Sequence, residues 1–147
     1  MKIAIGSDHA AFDMKEKVIL LLQSQKIEVQ NTGTFSSERA DYPDYAIKVS
    51  KAVLEKKADL GILLCGSGIG VSIVANKFKG IRAALCRSES DAEMSKKHND
   101  ANILCIGARV NSEEEIRKIV TTWLSHSFEG DRHADRLKKF ENLGENC

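Results

Sequence analysis

The sequence predicts a three-layer α/β sandwich: a five-stranded parallel sheet, Rossmann-like and doubly wound, with helices on both faces. Three observations predict it. Short apolar runs of strand length alternate five times with segments whose apolar residues recur at helical spacing, the pattern of helices packed against a parallel sheet. The 147 residues carry no internal repeat, low-complexity tract or linker, so the length predicts one domain over 1–147 with a sizeable core. The residues with chemical potential cluster where strands would end, as expected when ligands bind beyond the carboxyl ends of parallel strands.

The elements follow in order. Ile3–Gly6 is a first strand entering the turn GSDHAAF, and Met14, Val18, Leu21 and Leu22 mark the buried face of the helix that follows. Ile27–Thr32 is a second strand. The polar, aperiodic TFSSERADY, residues 34–42, is a loop. Pro43, the only proline, suits the first turn of a helix, where its missing N–H costs nothing. Ala46, Val49 and Val53 supply that helix with its core face. Leu60–Cys65 is the third strand, followed by a glycine turn and a helix through Val71–Lys77. Ile81–Cys86 is the fourth strand, Ser90–His98 a helix, and Ile103–Gly107 the fifth strand. Ser112 and Glu115 form a capping box for a helix with the stripe Ile116, Ile119, Val120, Trp123 and Leu124. A last helix spans about 131–143, most clearly Arg132–Leu143.

Composition excludes several classes. Apolar residues make up 42% and charged residues 29%, and the formal net charge is +1, so no global field favours nucleic acid or an anionic membrane. The few aromatic residues are scattered, without the interleaving of a base-stacking surface. The amino terminus lacks the long apolar run of a signal peptide, and no stretch approaches the roughly 18 apolar residues of a membrane span; a cytoplasmic location is the default expectation. Cys65, Cys86, Cys105 and Cys147 stand far apart without a C-x-x-C pair or zinc-type spacing. Cys86 and Cys105 read as small core residues, and structural disulfides are not expected.

The most informative segment is LGILLCGSGIG, residues 60–70, an apolar strand running into Cys65 and then Gly66, Ser67, Gly68 and Gly70. A dinucleotide fingerprint needs G-x-G-x-x-G after the first strand, but that turn is GSDHAA. The P-loop string is absent. A cysteine phosphatase needs an arginine six positions after its cysteine, and Val71 stands there. What remains is a cysteine beside a nest of backbone N–H donors, a setting that binds an anion or a developing oxyanion and favours a thiolate. Ser7, Asp8 and His9 follow the first strand, His98, Asn99 and Asp100 precede the fifth, and Arg109 follows it. Parallel topology is expected to bring all of these to one rim of the sheet, or close to it. Asp8 can also cap the first helix, and His9 and His98 can be surface or capping groups. No His, Cys or carboxylate shares a metal-ligand spacing, so no metal is expected. Arg132 and Arg136, four apart, either belong to a solvated helix face or reach one phosphate together.

The segments IAIGSDHAAF, GTFSSERADYPDYA, GILLCGSGIGVSIVANKFKGIRAALC, SKKHNDANIL, IGARV and EGDRHADR, in this order and spacing, resemble the B-type ribose-5-phosphate isomerases of the ribose/galactose isomerase family, from the first strand to the last helix. The resemblance implies the same three-layer fold and the reversible conversion of ribose 5-phosphate to ribulose 5-phosphate, a step of the pentose phosphate pathway, without a metal or organic cofactor. By similarity, Cys65 is the base that moves a proton between C2 and C1 of the opened sugar. The N–H groups from Gly66 through Gly68 to Gly70 stabilise the enediolate, and Ser67 assists at the substrate oxygens. His98, with Asp8 nearby, opens the furanose ring. Asn99 holds a sugar hydroxyl and Tyr42 lines the sugar site. His9, Arg109, Arg132 and Arg136 hold the phosphate. The family's dimers, or dimers of dimers, imply a homo-oligomer whose C-terminal helix reaches across an interface. Many of these isomerases carry threonine where this chain has Ser67, which leaves room at the sugar. A six-carbon sugar phosphate, such as allose 6-phosphate or galactose 6-phosphate, is the alternative substrate, and a non-catalytic sugar-phosphate sensor the alternative class.

Overall fold

The computed structural model describes residues 1–146, so Cys147 lies outside the described residues. Five parallel strands, β1 (Lys2–Ser7), β2 (Glu28–Asn31), β3 (Leu60–Cys65), β4 (Ala83–Leu85) and β5 (Ile103–Gly107), form one sheet in the order β2-β1-β3-β5-β4. Successive side chains point to opposite faces of a strand, and both faces are covered. Ile3, Ile5, Ile62, Leu64, Leu104 and Ile106 pack with α1 (Phe12–Ser24), α5 (Glu113–Ser125) and Ala92 of α4 (Glu89–Lys97). Ala4, Leu63, Cys65, Ile103 and Cys105 pack with α2 (Tyr42–Leu54) and α3 (Ile69–Ala75) on the other side. This is the expected three-layer sandwich.

Strand order sets the site. From β1 the chain goes to β2 on one side, and later places β3 on the other, so the winding reverses between β1 and β3. Crevices form at such a switch point because the connections leave in opposite directions. Ser7 lies opposite Leu64, and Cys65 lies opposite Gly107, which carries the ends of β1, β3 and β5 to one edge.

Local chemistry explains most helix boundaries. Ser112 accepts the Glu115 N–H at 3.2 Å while the Glu115 carboxylate accepts the Ser112 N–H at 2.7 Å, the reciprocal box that starts α5. Ser88 accepts the Asp91 N–H to open α4. Pro43 sits in the first turn of α2, as its sequence position implies. A single 3-10 turn, His9–Ala11, joins β1 to α1. At the exposed edge of β4, the Asn76 side chain supplies both partners that another strand would offer, donating to the Ala83 carbonyl at 2.8 Å and accepting its N–H at 2.9 Å.

The last helix departs from expectation. α6 covers Asp131–Lys138, five residues short of Leu143. Beyond it Gly144 adopts φ +109°, and Glu145 pairs with the segment before β4. Its N–H donates to the Lys77 carbonyl at 2.7 Å and its own carbonyl accepts the Lys79 N–H at 2.8 Å. Tertiary pairing overrides helical periodicity there. Strands two and four are likewise shorter than their apolar runs, since β2 and β4 are the sheet edges. Among the described residues, no helix is long and apolar enough to cross a membrane.

The capping box makes a quantitative prediction. Ser112→Ala removes one side of it and is expected to cost about 1 kcal/mol. Thermal unfolding should show a Tm lower by roughly 2–4 °C for a chain of this size.

Candidate active site

Four segments meet at the carboxyl edge of the sheet. The β1 turn brings Asp8 and His9, the β3 turn brings Cys65, Gly66, Ser67 and Gly70, and the end of β5 brings Arg109 and Val110. The first residue of α2, Tyr42, completes the wall of a cavity of about 420 Å³. Each of these residues except Val110 was a candidate from sequence. Their convergence follows from the parallel register.

The β3 turn is tightly built. Gly68 adopts φ +76°, and a Cβ there would lie 2.9 Å from the Gly107 N and the Ile106 carbonyl carbon, so only glycine fits. Its N–H donates to Cys65 Sγ at 3.1 Å, and the Ile69 N–H donates to Ser67 Oγ at 3.2 Å. Two of the donors expected to face substrate are therefore spent on the site's own side chains. The N–H groups of Gly66 and Ser67 reach no acceptor among the described residues and remain available. Ser67 keeps its hydroxyl hydrogen free to donate. The Tyr42 ring lies against Gly70, where a side chain would displace it.

Charge lining the cavity is sparse and specific. Asp8 is buried, and its Oδ1 caps the 3-10 turn, accepting from Ala10 N–H at 3.0 Å and Ala11 N–H at 3.3 Å. Its capping role, one of two readings from sequence, is thus present. His9 is exposed, and its Nδ1 lies 3.0 Å from the Ala40 carbonyl oxygen and 3.2 Å from the Ala40 N. The exposed Arg109 lies over Gly66 and ties its N–H to the Gly66 carbonyl at 3.0 Å. A fixed cation thus stands beside the donor turn.

The expectation of one rim is not met within a single chain. α4 runs back from the carboxyl edge, so His98 and Asn99, which follow it, stand at the amino ends of the strands. Arg82, just before β4, holds the Asp100 carbonyl at 2.8 Å and the Asp100 carboxylate at 3.0 Å, and Gly61 at the start of β3 donates to Asn102. The five residues of β5 separate this edge from Cys65 by about 16 Å at the usual strand rise. Asn99 lines a second cavity of about 630 Å³ with Arg82, Asp100, Leu137 and Phe140. Exposed Arg132 and Arg136 lie on α6, whose His133 stacks on His98. The neighbours of His98 are accordingly Glu129 and His133, not Asp8. Sequence reading missed both, although each lies in EGDRHADR and the two are four residues apart.

Fold and site together define a class: an α/β protein with its cavity at the switch point of a parallel sheet. Comparison with known proteins gives the particular lineage. The chain belongs to the ribose/galactose isomerase family, whose model matches residues 3–140. It is 47% identical over 137 residues to ribose-5-phosphate isomerase B of Escherichia coli (strain K12), an alignment covering 93% of this chain and 92% of that protein. Ribose 5-phosphate isomerase B of Thermotoga maritima superimposes with a TM-score of 0.94 at 51% identity, covering 97% of this chain and 98% of that one. That of Clostridium thermocellum gives 0.95 at 47% identity, over 96% and 95%.

The cysteines differ in setting. Burial pushes the Cys86 thiol up to about 11, and burial also holds Cys105 well above the ordinary thiol range. Both are sealed in the core, whereas Cys65 lines the cavity. Iodoacetamide near pH 8 is therefore expected to label Cys65 and to spare Cys86 and Cys105 in the folded chain. Peptide mapping by mass spectrometry checks this; labelling of Cys86 or Cys105 at the rate of Cys65 would contradict it.

Proposed function

We propose that this chain interconverts ribose 5-phosphate and ribulose 5-phosphate by proton transfer through an enediolate, the isomerisation of the non-oxidative pentose phosphate pathway. The observation that carries the reading is Cys65 at the switch point, beside two unspent N–H donors and the Arg109 cation. Once the furanose is open, the Cys65 thiolate removes the proton on C2 and the electron pair moves onto O1. The Gly66 and Ser67 N–H groups are placed to receive that oxyanion. The thiol returns a proton to C1, and the O2 proton passes to the O1 oxyanion as the ketone forms, with the Ser67 hydroxyl assisting that transfer between the substrate oxygens. The names of the similar proteins, ribose-5-phosphate isomerase B, support this substrate.

The other half of the machinery belongs, in this reading, to a second copy of the chain. A phosphate dianion calls for more than one cation, and the wall of the Cys65 cavity offers Arg109 with His9. Arg132 and Arg136 are exposed, share a helix face, and pair with no carboxylate on their own helix. The last helix reaches across a two-fold interface and brings them to the phosphate beside the partner's cavity. His98 and Asn99 arrive at the same edge, His98 to open the ring and Asn99 to hold a hydroxyl. Isologous pairing makes two such composite sites per dimer.

Cys65→Ala is expected to keep its fold and its phosphosugar binding while kcat falls by about 10²–10⁴, the usual worth of a positioned base. Turnover by the native chain in deuterium oxide should place deuterium on C1 or C2, read by NMR. Substantial activity in Cys65→Ala, or transfer with no solvent deuterium, would reject the mechanism.

Shared sites make a second prediction. Cys65→Ala and His98→Asn chains, each nearly inactive, should on unfolding together and refolding recover about one quarter of native activity, since half of the random dimers then hold one intact site. No recovery would show that each site is built from one chain.

A further inference from the structure

Away from the Cys65 cavity, the densest group of titratable side chains lies where α4 ends and α6 begins. The buried ring of His133, in the first turn of α6, stacks face to face on His98, with centroids 4.3 Å apart and planes 9° apart. One Glu129 oxygen lies 3.8 Å from His98 Nε2 and the other 3.0 Å from Lys97 Nζ. Lys97 also pairs with Glu93 at 3.2 Å, and the Glu129 N–H donates to the Lys97 carbonyl at 3.0 Å.

The ligand atoms of His98, Glu129 and His133 all lie within 4.8 Å of one another, which by spacing alone resembles a cation site. Ring geometry opposes that use. An imidazole lone pair lies in the plane of its ring, so two nearly parallel, stacked rings confine their lone pairs to two separate planes that do not converge on one ion. Lys97 on Glu129, with Arg132 and Arg136 on the same helix as His133, makes the surroundings cationic as well. A dication is poorly served there.

The stack has another consequence. His98 is the C-cap of α4, and its side chain is 37% exposed. The terminal torsion of a histidine is broad, so packing or hydrogen bonding must choose the plane of its ring. The flat face of His133 supplies that contact. We propose that His133 is a positioning residue for His98, its buried ring fixing the plane in which the His98 imidazole meets the sugar. The proposal rests on the reading of His98 as the group that opens the furanose.

Charge keeps the arrangement intact. Burial first, then the positive charges of His98, Arg132 and Arg136, hold His133 below the ordinary imidazole range, with Glu129 acting in the opposite sense. Glu129 itself is kept ionised by its hydrogen bond from Lys97. His133 thus stays neutral near pH 7, and a neutral ring can stack on His98 whether or not His98 carries a proton. Two imidazolium rings at this distance would repel.

The test uses the full chain with His133→Ala, His133→Phe and, separately, His98→Asn. His133→Ala should lower kcat on ribose 5-phosphate by about tenfold to a hundredfold, the scale of a misplaced group, with KM changed by less than about twofold. His133→Phe keeps a flat face and should restore most of kcat near pH 7. By NMR, the His133 titration midpoint should rise in His98→Asn, because one of the positive charges depressing it is gone. Native kcat in His133→Ala, equal damage in the Phe and Ala variants, or an unmoved His133 midpoint would each overturn the proposal. A native chain inactive on phosphosugars would instead overturn the isomerase reading, and the NMR comparison would still decide the pairing.

Discussion

The turn after β3 and the end of β5 lie in backbone contact, and the site depends on that contact. A Cβ on Gly68 would meet the Gly107 N at 2.9 Å, and a Cβ on Gly107 would meet the Ser67 carbonyl oxygen at 2.6 Å. Hydrogen bonds continue the join, from Ala108 N–H to the Cys65 carbonyl at 2.9 Å and from Arg109 N–H to the Gly66 carbonyl at 3.0 Å. The turn that carries Cys65 and the loop that carries Arg109 therefore move as one body. A site that stabilises charge appearing briefly on one oxygen gains most from donors already in place, and a glycine-to-glycine contact leaves little slack.

Rigidity extends to the β1 side through different chemistry. Lys15 is fully buried, and its ammonium group meets the Glu16 carboxylate at 2.6 Å and Asn31 Oδ1 at 3.0 Å, with the Phe12 and Phe35 rings nearby. The same Asn31 oxygen accepts the Gly33 N–H, and Ser7 exchanges hydrogen bonds with Gly33 and Thr34. A buried charge that loses its partners is costly, so this network holds the start of the 32–41 segment against β1. That segment leads to Ala40, which holds the His9 ring, and to Tyr42 on the cavity wall. The two sides of the cavity are thus secured by unlike means: backbone contact at β3 and β5, and a buried ammonium at β1 and β2.

The molecule has two chemically distinct ends. The cavity at the carboxyl edge is lined by a thiol, unspent N–H groups and Arg109, while the opposite edge holds a histidine pair and α6 with the exposed Arg132 and Arg136. In the proposed mechanism Cys65 and Arg109 act from one end, and His98, Arg132 and Arg136 from the other. Two copies related by a two-fold axis would set each end against its complement, and the composite site is then a property of assembly more than of the single fold.

The fold was legible in the sequence because burial writes itself locally: five apolar runs and three clear helical stripes state which residues leave water. The Cys65 turn was legible for a similar reason, since glycines in that spacing are needed only where backbone must approach backbone. Helix α6 was overextended, because the pairing of Glu145 with the segment before β4 is a contact across more than sixty residues that no local period reveals. The placement of His98 was misjudged because position before or after a parallel strand decides the edge, and that distinction becomes decisive only once the sheet is assembled. Glu129 and His133 were invisible as partners of His98 for the same cause. The sequence by itself determined the layers, the switch-point turn and the family. Only the tertiary structure decided which functional groups share an edge, because distances across a sheet are set by strand direction and register, not by the order of residues along the chain.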